Sequence, residues 1–123
     1  MAIKLLDALA MNTATPASST SVFLACPKTQ YTIQASYIDA SASVSALTIT
    51  LQASADGRGV SDANAHWFDL VSHAFTAGEI TAKMAMFGDT SEIPFRRIRV
   101  QMYSCTGGAA VDLLTVIFIE GEN

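Results

Sequence analysis

Residues 47–75 constrain the fold of this chain more than any other stretch. Across residues 47–54, apolar and polar side chains alternate with the two-residue period of a strand that buries one face. The next residues include Asp56-Gly57 and Gly59, which favour tight bends. Residues 66–71 again have strand character, and no helical period intervenes. A strand, a polar loop and a returning strand indicate an all-β fold.

Strand-like segments continue along the rest of the chain. They are predicted at residues 3–10, 22–26, 31–39, 80–87, 95–104 and 111–120. Residues 76–79 are predicted to form a turn, and no segment has a convincing helical period. With the two strands above, the sequence predicts an antiparallel β-sandwich or a jelly-roll-like barrel of about eight strands.

The length of 123 residues suits one domain with its own apolar core. Residues 1–21 are predicted to form an N-terminal strand or extended arm followed by a polar loop, and residues 22–123 a single β-sandwich domain. Cys26 and Cys105 are far apart in the sequence. Two small buried thiols are favoured, although the sequence leaves a disulfide between them open.

Composition argues against several classes of partner. Charged residues make up 15% of the chain, where about 25% is usual, which favours burial of part of the surface against other subunits. Abundant Ser, Thr and Asn side chains are the alternative way to keep such a surface hydrated. The net charge of −4 argues against nucleic-acid binding, which needs a basic face. No apolar run approaches a membrane span, and Asp7 interrupts the N-terminal run where a signal peptide would be uninterrupted.

The last predicted strand is apolar on both faces, because Leu114, Val116 and Phe118 alternate with other large apolar residues. Coverage by the fold itself or by a partner subunit would explain this pattern. Arg97 and Arg99 share one face of the preceding strand, either solvated or paired with an acidic partner. The candidate interface residues are Ile3, Leu5, Leu6, Arg97, Arg99, Leu114, Val116 and Phe118.

Aromatic side chains supply an alternative ligand site. Trp67 and Tyr103 would offer flat faces for stacking on a sugar, although a single tryptophan at the start of a strand is more typical of a core.

No catalytic, metal or cofactor motif is recognisable. His66 and His73 fall on opposite faces of a strand and do not have zinc-site spacing. Asp56, Asp62 and Asp69 do not match a calcium-binding loop, and nucleophile-elbow and phosphate-loop motifs are absent from the sequence. We therefore predict a protein that is not an enzyme and uses no cofactor.

Several segments together carry a resemblance to a known type of protein. They are IKLLDALA, YTIQAS, LTITLQASADG followed by HWFDL, TAGEITA, and FRRIRVQMYSCTGG before the last strand. In this layout, which spans nearly the whole chain, the sequence resembles small β-sandwich virion proteins of tailed bacteriophages. These include capsid decoration (cement) proteins and head fibres. The loop GRGVSDANAH is longer than is usual in that pattern, so no function is transferred to it.

The resemblance implies a structural protein that decorates the capsid exterior and stabilises the shell by bridging capsid subunits. Its partners would be the major capsid protein and further copies of itself, with a trimer favoured, and not nucleic acid or a membrane. It would be made in the host cytoplasm and reside on the capsid surface of the virion. The alternative is a carbohydrate- or receptor-binding module of a head fibre, neck or tail, in which Trp67, Tyr103 or the 56–66 loop would contact the ligand.

Overall fold

The alternating segments form strands in nearly all of the predicted places. The computed structural model describes residues 2–24, 30–89 and 97–120. Those residues contain nine strands and one short helix. The elements are β1 (Ala2–Ala10), β2 (Ala17–Ser18), β3 (Val22–Phe23), β4 (Tyr31–Ile38), β5 (Ala46–Ser54), β6 (Phe68–Ala74), α1 (Ala77–Ala82), β7 (Met84–Asp89), β8 (Arg97–Thr106) and β9 (Leu113–Glu120).

Two antiparallel sheets pack face to face. The four-stranded sheet has the order β1-β9-β4-β7, and the five-stranded sheet has the order β2-β8-β5-β6, with β3 also pairing with β8. The predicted antiparallel sandwich is therefore confirmed.

The core lies between the two sheets and follows from the period of two. In β4, Tyr31, Ile33, Ala35 and Tyr37 are buried, whereas the intervening residues are half-buried on the outer face. The ring of Tyr31 stacks on that of Phe118 in β9, with 5.7 Å between the centroids. The five-stranded sheet contributes fully buried residues in the same way: Ile49, Leu51, Ala53, Ile98, Val100 and Met102.

The N-terminal segment is an integral strand of this sandwich. Strand β1 pairs with β9 of the same chain, from Ala2 opposite Ile119 to Ala10 opposite Leu113. An irregularity between Lys4 and Leu6 breaks the alternation, so that Leu5 and Leu6 are both buried. Of the two sequence alternatives for this segment, strand or arm, the structure shows the strand.

Helix α1 corrects the prediction for residues 76–82, where the sequence was interpreted as a turn and the start of a strand. Thr76 caps the helix, because its Oγ1 accepts a hydrogen bond from the Glu79 amide at 3.2 Å. The Glu79 carboxylate in turn accepts from the Thr76 amide at 2.9 Å, which completes a capping box. Lys83 adopts a left-handed conformation that ends the helix, and β7 begins at Met84.

The turn before β5 touches the loop after β8 at Gly107. This glycine has a φ of 82°, and a Cβ added there would overlap the carbonyl oxygen of Ser43. We expect Gly107→Ala to lower the free energy of unfolding by about 2–4 kcal/mol, measured by urea titration. Gly57→Ala is the matched control, because a Cβ at Gly57 meets no atom within 4 Å. Equal stability of the two variants would contradict the close approach.

Candidate functional site

Most of the predicted interface residues belong to the core. Leu114, Val116 and Phe118 are 0% exposed, since β9 lies between β1 and β4 and turns these side chains toward the five-stranded sheet. Leu5 and Leu6 are also buried, and Ile3 packs against the same core. Leu5, Leu6, Leu114, Val116 and Phe118 therefore face the core of the chain and not its surface, whereas Ile3 is half-buried. Burial within the sandwich accounts for one apolar face of β9.

The other face of β9 belongs to an uncharged surface of apolar and polar residues, which we call the outer sheet face. It consists of the outward residues of β9, β4 and β7: Leu113, Thr115, Ile117, Ile119, Thr32, Gln34, Ser36, Ile38, Met84, Met86 and Gly88. Ile38, Met84 and Met86 are 62%, 44% and 56% exposed. Contiguous exposed apolar residues of this kind mark interaction surfaces in soluble proteins.

Arg97 lies inside the protein instead of on a solvated strand face. Arg97 is 3% exposed, and each nitrogen of its guanidinium donates a hydrogen bond to a group from a distant segment. Nη2 donates to Asp62 Oδ1 at 2.6 Å, Nη1 to the Gly57 carbonyl oxygen at 3.1 Å and Nε to Ser21 Oγ at 3.3 Å. The candidate Arg97 is thus a structural anchor for the loop between β5 and β6.

Asp62 is the counter-charge of this anchor. Its carboxylate accepts hydrogen bonds from the Ser21 hydroxyl at 2.6 Å and the Ser21 amide at 3.0 Å, in addition to the Arg97 bond. The Ser21 bonds, followed by Arg97, lower the pKa of Asp62 from its ordinary value of 3.8 to about 2 despite partial burial. Asp62 is consequently ionised at neutral pH.

Arginine and aromatic side chains surround this ion pair. The guanidinium carbon of Arg97 lies 5.2 Å from the ring centroid of Phe23 and 5.4 Å from that of Trp67. Arg58 lies 4.2 Å over Phe23, and Arg99 lies 4.2 Å over Trp67. We call these five residues the arginine–aromatic cluster. Trp67 also donates its Nε1 hydrogen to the Asp62 carbonyl oxygen at 3.0 Å, a bond within the loop between β5 and β6.

Arg99 begins a polar row across the outer face of the five-stranded sheet. Its Nε donates to Gln52 Oε1 at 2.8 Å, and Gln52 Nε2 donates to Asp69 Oδ1 at 2.9 Å. Burial lowers the pKa of Arg99. Tyr103, 55% exposed, lies four residues further along β8, a distance of about 13 Å in a strand. The alternative candidates Trp67 and Tyr103 are therefore not neighbours.

The two histidines are separate. His66 is exposed beside Asp56, with its Nδ1 3.2 Å from a carboxylate oxygen. His73 lies 2.8 Å from Glu79 Oε1 and stacks on Phe87 with 4.8 Å between ring centroids. Among the described residues, no group of three or more His, Cys, Asp or Glu side chains is suited to a metal ion.

Cys105 is a half-buried thiol whose pKa is raised by burial. Cys26 lies outside the described residues, so the question of a pair with Cys105 is not answered by the structure. In the part of the chain that the structure describes, no helix has the length and apolar character needed to cross a membrane.

Comparison with protein-family models, curated proteins and solved structures yields no match for this chain. The functional argument therefore depends on the chain's own surfaces. The outer sheet face is uncharged and partly exposed, whereas the outward residues Thr50, Gln52 and Gln101 of the five-stranded sheet are buried.

Proposed function

We propose that this chain is a structural virion protein of a tailed bacteriophage, which decorates the capsid exterior and stabilises the shell as a homo-oligomer. The single observation that carries the proposal is the outer sheet face, an uncharged surface that exposes Ile38, Met84 and Met86 on a protein with few charges. A cement protein acts by binding and has to bury surface against its neighbours. The sequence resemblance to decoration and head-fibre proteins supplies the phage context.

The fold suits such a role. Strands β1 and β9 secure the N-terminal segment within the sandwich, and the arginine–aromatic cluster secures the longest loop. Both features make a rigid subunit, whose binding costs little conformational entropy. The major capsid protein is the proposed partner, with contacts outside the buried core of the subunit.

Purified particles with and without this chain provide the test. We expect a copy number comparable to that of the major capsid subunit by quantitative mass spectrometry. We also expect lower survival of particles that lack the chain after heat or osmotic shock. Equal survival of the two particle types would contradict the stabilising role, and absence from particles would contradict a virion protein altogether.

A receptor- or carbohydrate-binding module is the second candidate, and one observation favours it. Tyr103 is 55% exposed on the outer face of the five-stranded sheet, where its ring is open to a ligand. An exposed aromatic face of this kind suits stacking on a sugar ring. A glycan array probed with the wild type and with Tyr103→Ala tests this function. A carbohydrate-binding module should bind at least one glycan as the wild type and lose that binding as Tyr103→Ala, whereas a decoration protein should bind none.

A further inference from the structure

We propose that the free edge of strand β7 pairs with the same edge of a second copy of this chain, in an antiparallel arrangement about a two-fold axis. The four-stranded sheets of the two copies then form one continuous sheet. This proposal deepens the homo-oligomer of the proposed function and rests on it, and it gives a pair where the resemblance suggested a trimer.

The first argument is the direction of the backbone hydrogen bonds of β7, which is an edge strand beside β4. The Tyr37 amide donates to the Lys83 carbonyl oxygen at 3.1 Å, just before β7 begins. Hydrogen-bonded and non-hydrogen-bonded positions alternate in an antiparallel ladder, and β7 pairs with β4 without a register shift. Alternate residues of β7 therefore direct their amides and carbonyls away from β4: Met84, Met86 and Gly88. Within residues 2–24, 30–89 and 97–120, these outward groups have no backbone partner.

The second argument is that the other sheet edges are protected from pairing. Strand β1 carries Lys4 and Asp7 and has two irregularities of register. The opposite edge of the five-stranded sheet is made of β2 and β3, which have two residues each. In β6 an extra residue, Leu70, interrupts the pairing with β5. Charges, bulges and short strands are the devices that keep an edge from pairing.

Strand β7 has none of these devices over residues 84–88. This segment is uncharged, contains no proline and pairs with β4 without interruption. Met84 and Met86 are also 44% and 56% exposed. Among the edges that the structure describes, β7 is thus the one open to a further strand.

The third argument is that this edge is self-complementary. A two-fold axis at Met86 places Met86 opposite Met86 of the second copy, and Met84 opposite Gly88. Each outward amide then meets an outward carbonyl of the other copy. The glycine leaves room for the Met84 side chain, and on the inner face the small Ala85 lies opposite the large Phe87. Isologous contacts of this kind are the commonest in protein oligomers.

The pairing is expected to be weak in dilute solution, because one strand pair buries less surface than a standard protein interface. On a capsid, neighbouring copies would be held at a high local concentration, which favours weak contacts of this kind. An extended segment of another protein would use the same backbone groups. The low charge of this chain and the match of the edge with itself favour the second copy.

Sedimentation of the purified full-length chain from about 1 μM to about 1 mM tests the pairing. We expect the wild type to change from monomer to dimer across this series. Met86→Pro removes the amide at the axis and should raise the dimer dissociation constant at least about tenfold. This variant should still fold, since the Met86 amide does not bond to β4 and proline is tolerated at such edge positions.

Met86→Lys is a second variant that keeps the amide and places two like charges opposite each other at the axis. It should weaken the dimer to a similar extent, and less so at high salt. Ile38→Lys is the matched control, because Ile38 is 62% exposed on the same outer face but lies at the end of β4. It should leave the dimer unchanged.

Hydrogen exchange of the wild type, followed by NMR, locates the contact. The Met84 and Met86 amides should exchange rapidly in the monomer and slowly in the dimer, whereas those of Ala85 and Phe87, bonded to β4, should be protected in both. A wild type that stays monomeric, a dimer that both Met86 variants leave intact, or a dimer without protection at Met84 and Met86 would overturn the proposal. A dimer absent from particles would contradict decoration alone, and a monomer that stabilises capsids would overturn the pairing alone.

Discussion

Val116→Asp is expected to prevent the chain from folding. Val116 is fully buried in β9, at the centre of the four-stranded sheet, and faces the apolar interior. A carboxyl group there would have neither water nor a hydrogen-bond partner, and its burial even in the protonated form, together with the lost packing of the valine, costs an amount comparable with the ~5–15 kcal/mol that stabilises a typical domain. We expect an insoluble product, or a soluble one without a cooperative thermal transition by circular dichroism. Phe118→Asp should behave in the same way.

The neighbouring residue supplies the control. Ile117→Asp introduces the same carboxylate in the same strand, but on the outer sheet face, where Lys4 lies directly opposite. This variant should fold, with a native circular dichroism spectrum and a cooperative thermal transition. If Val116→Asp and Ile117→Asp folded to the same extent, the assignment of Val116 to the inward face of β9 would be contradicted.

The ambiguity of β9 shows what local sequence can determine. Alternation in β4 and β5 predicts both the strands and their inward faces, because polar residues mark the outer side. In β9 only Thr115 interrupts the apolar residues, so the sequence provides two faces but no means of ranking them. The opposing sheet decides which face of β9 is buried, and the position of that sheet depends on contacts between residues far apart in the sequence. The other face of β9 lies on the outside of the four-stranded sheet, and this too is known only once the strands are assembled in the order β1-β9-β4-β7.

Helix α1 was missed for a different reason. Its six residues span fewer than two turns, too few for a helical period. The available signal was the capping box, Thr76 followed three residues later by Glu79. Arg97 offered no local signal at all. Its partners Ser21 and Asp62 lie 76 and 35 residues away along the chain, so its burial follows from tertiary contacts.

Asp62→Asn is expected to have the second-largest effect. The substitution keeps the size of the side chain but leaves the buried guanidinium of Arg97 without its counter-charge. We expect the free energy of unfolding to fall by about 3 kcal/mol in a urea titration at pH 7. Arg97→Met combined with Asp62→Asn should be less destabilised than the sum of the two single variants, since it removes both charges. Additive effects would contradict a direct interaction.

The pH dependence tests the same ion pair independently. Because the pKa of Asp62 is lowered in the folded chain, its carboxylate adds stability above its ordinary pKa of 3.8, and this contribution is lost as the pH falls through about 2. The difference in unfolding free energy between wild type and Asp62→Asn should therefore be constant from pH 7 to about 5, decrease below pH 4 and become small near pH 2. Other carboxyl groups titrate in both proteins and cancel in this difference.

Asp7→Asn, at an exposed ion pair, should change stability by less than about 0.5 kcal/mol. A difference for Asp62→Asn that did not change with pH would show that the lost stability is unrelated to the charge of Asp62.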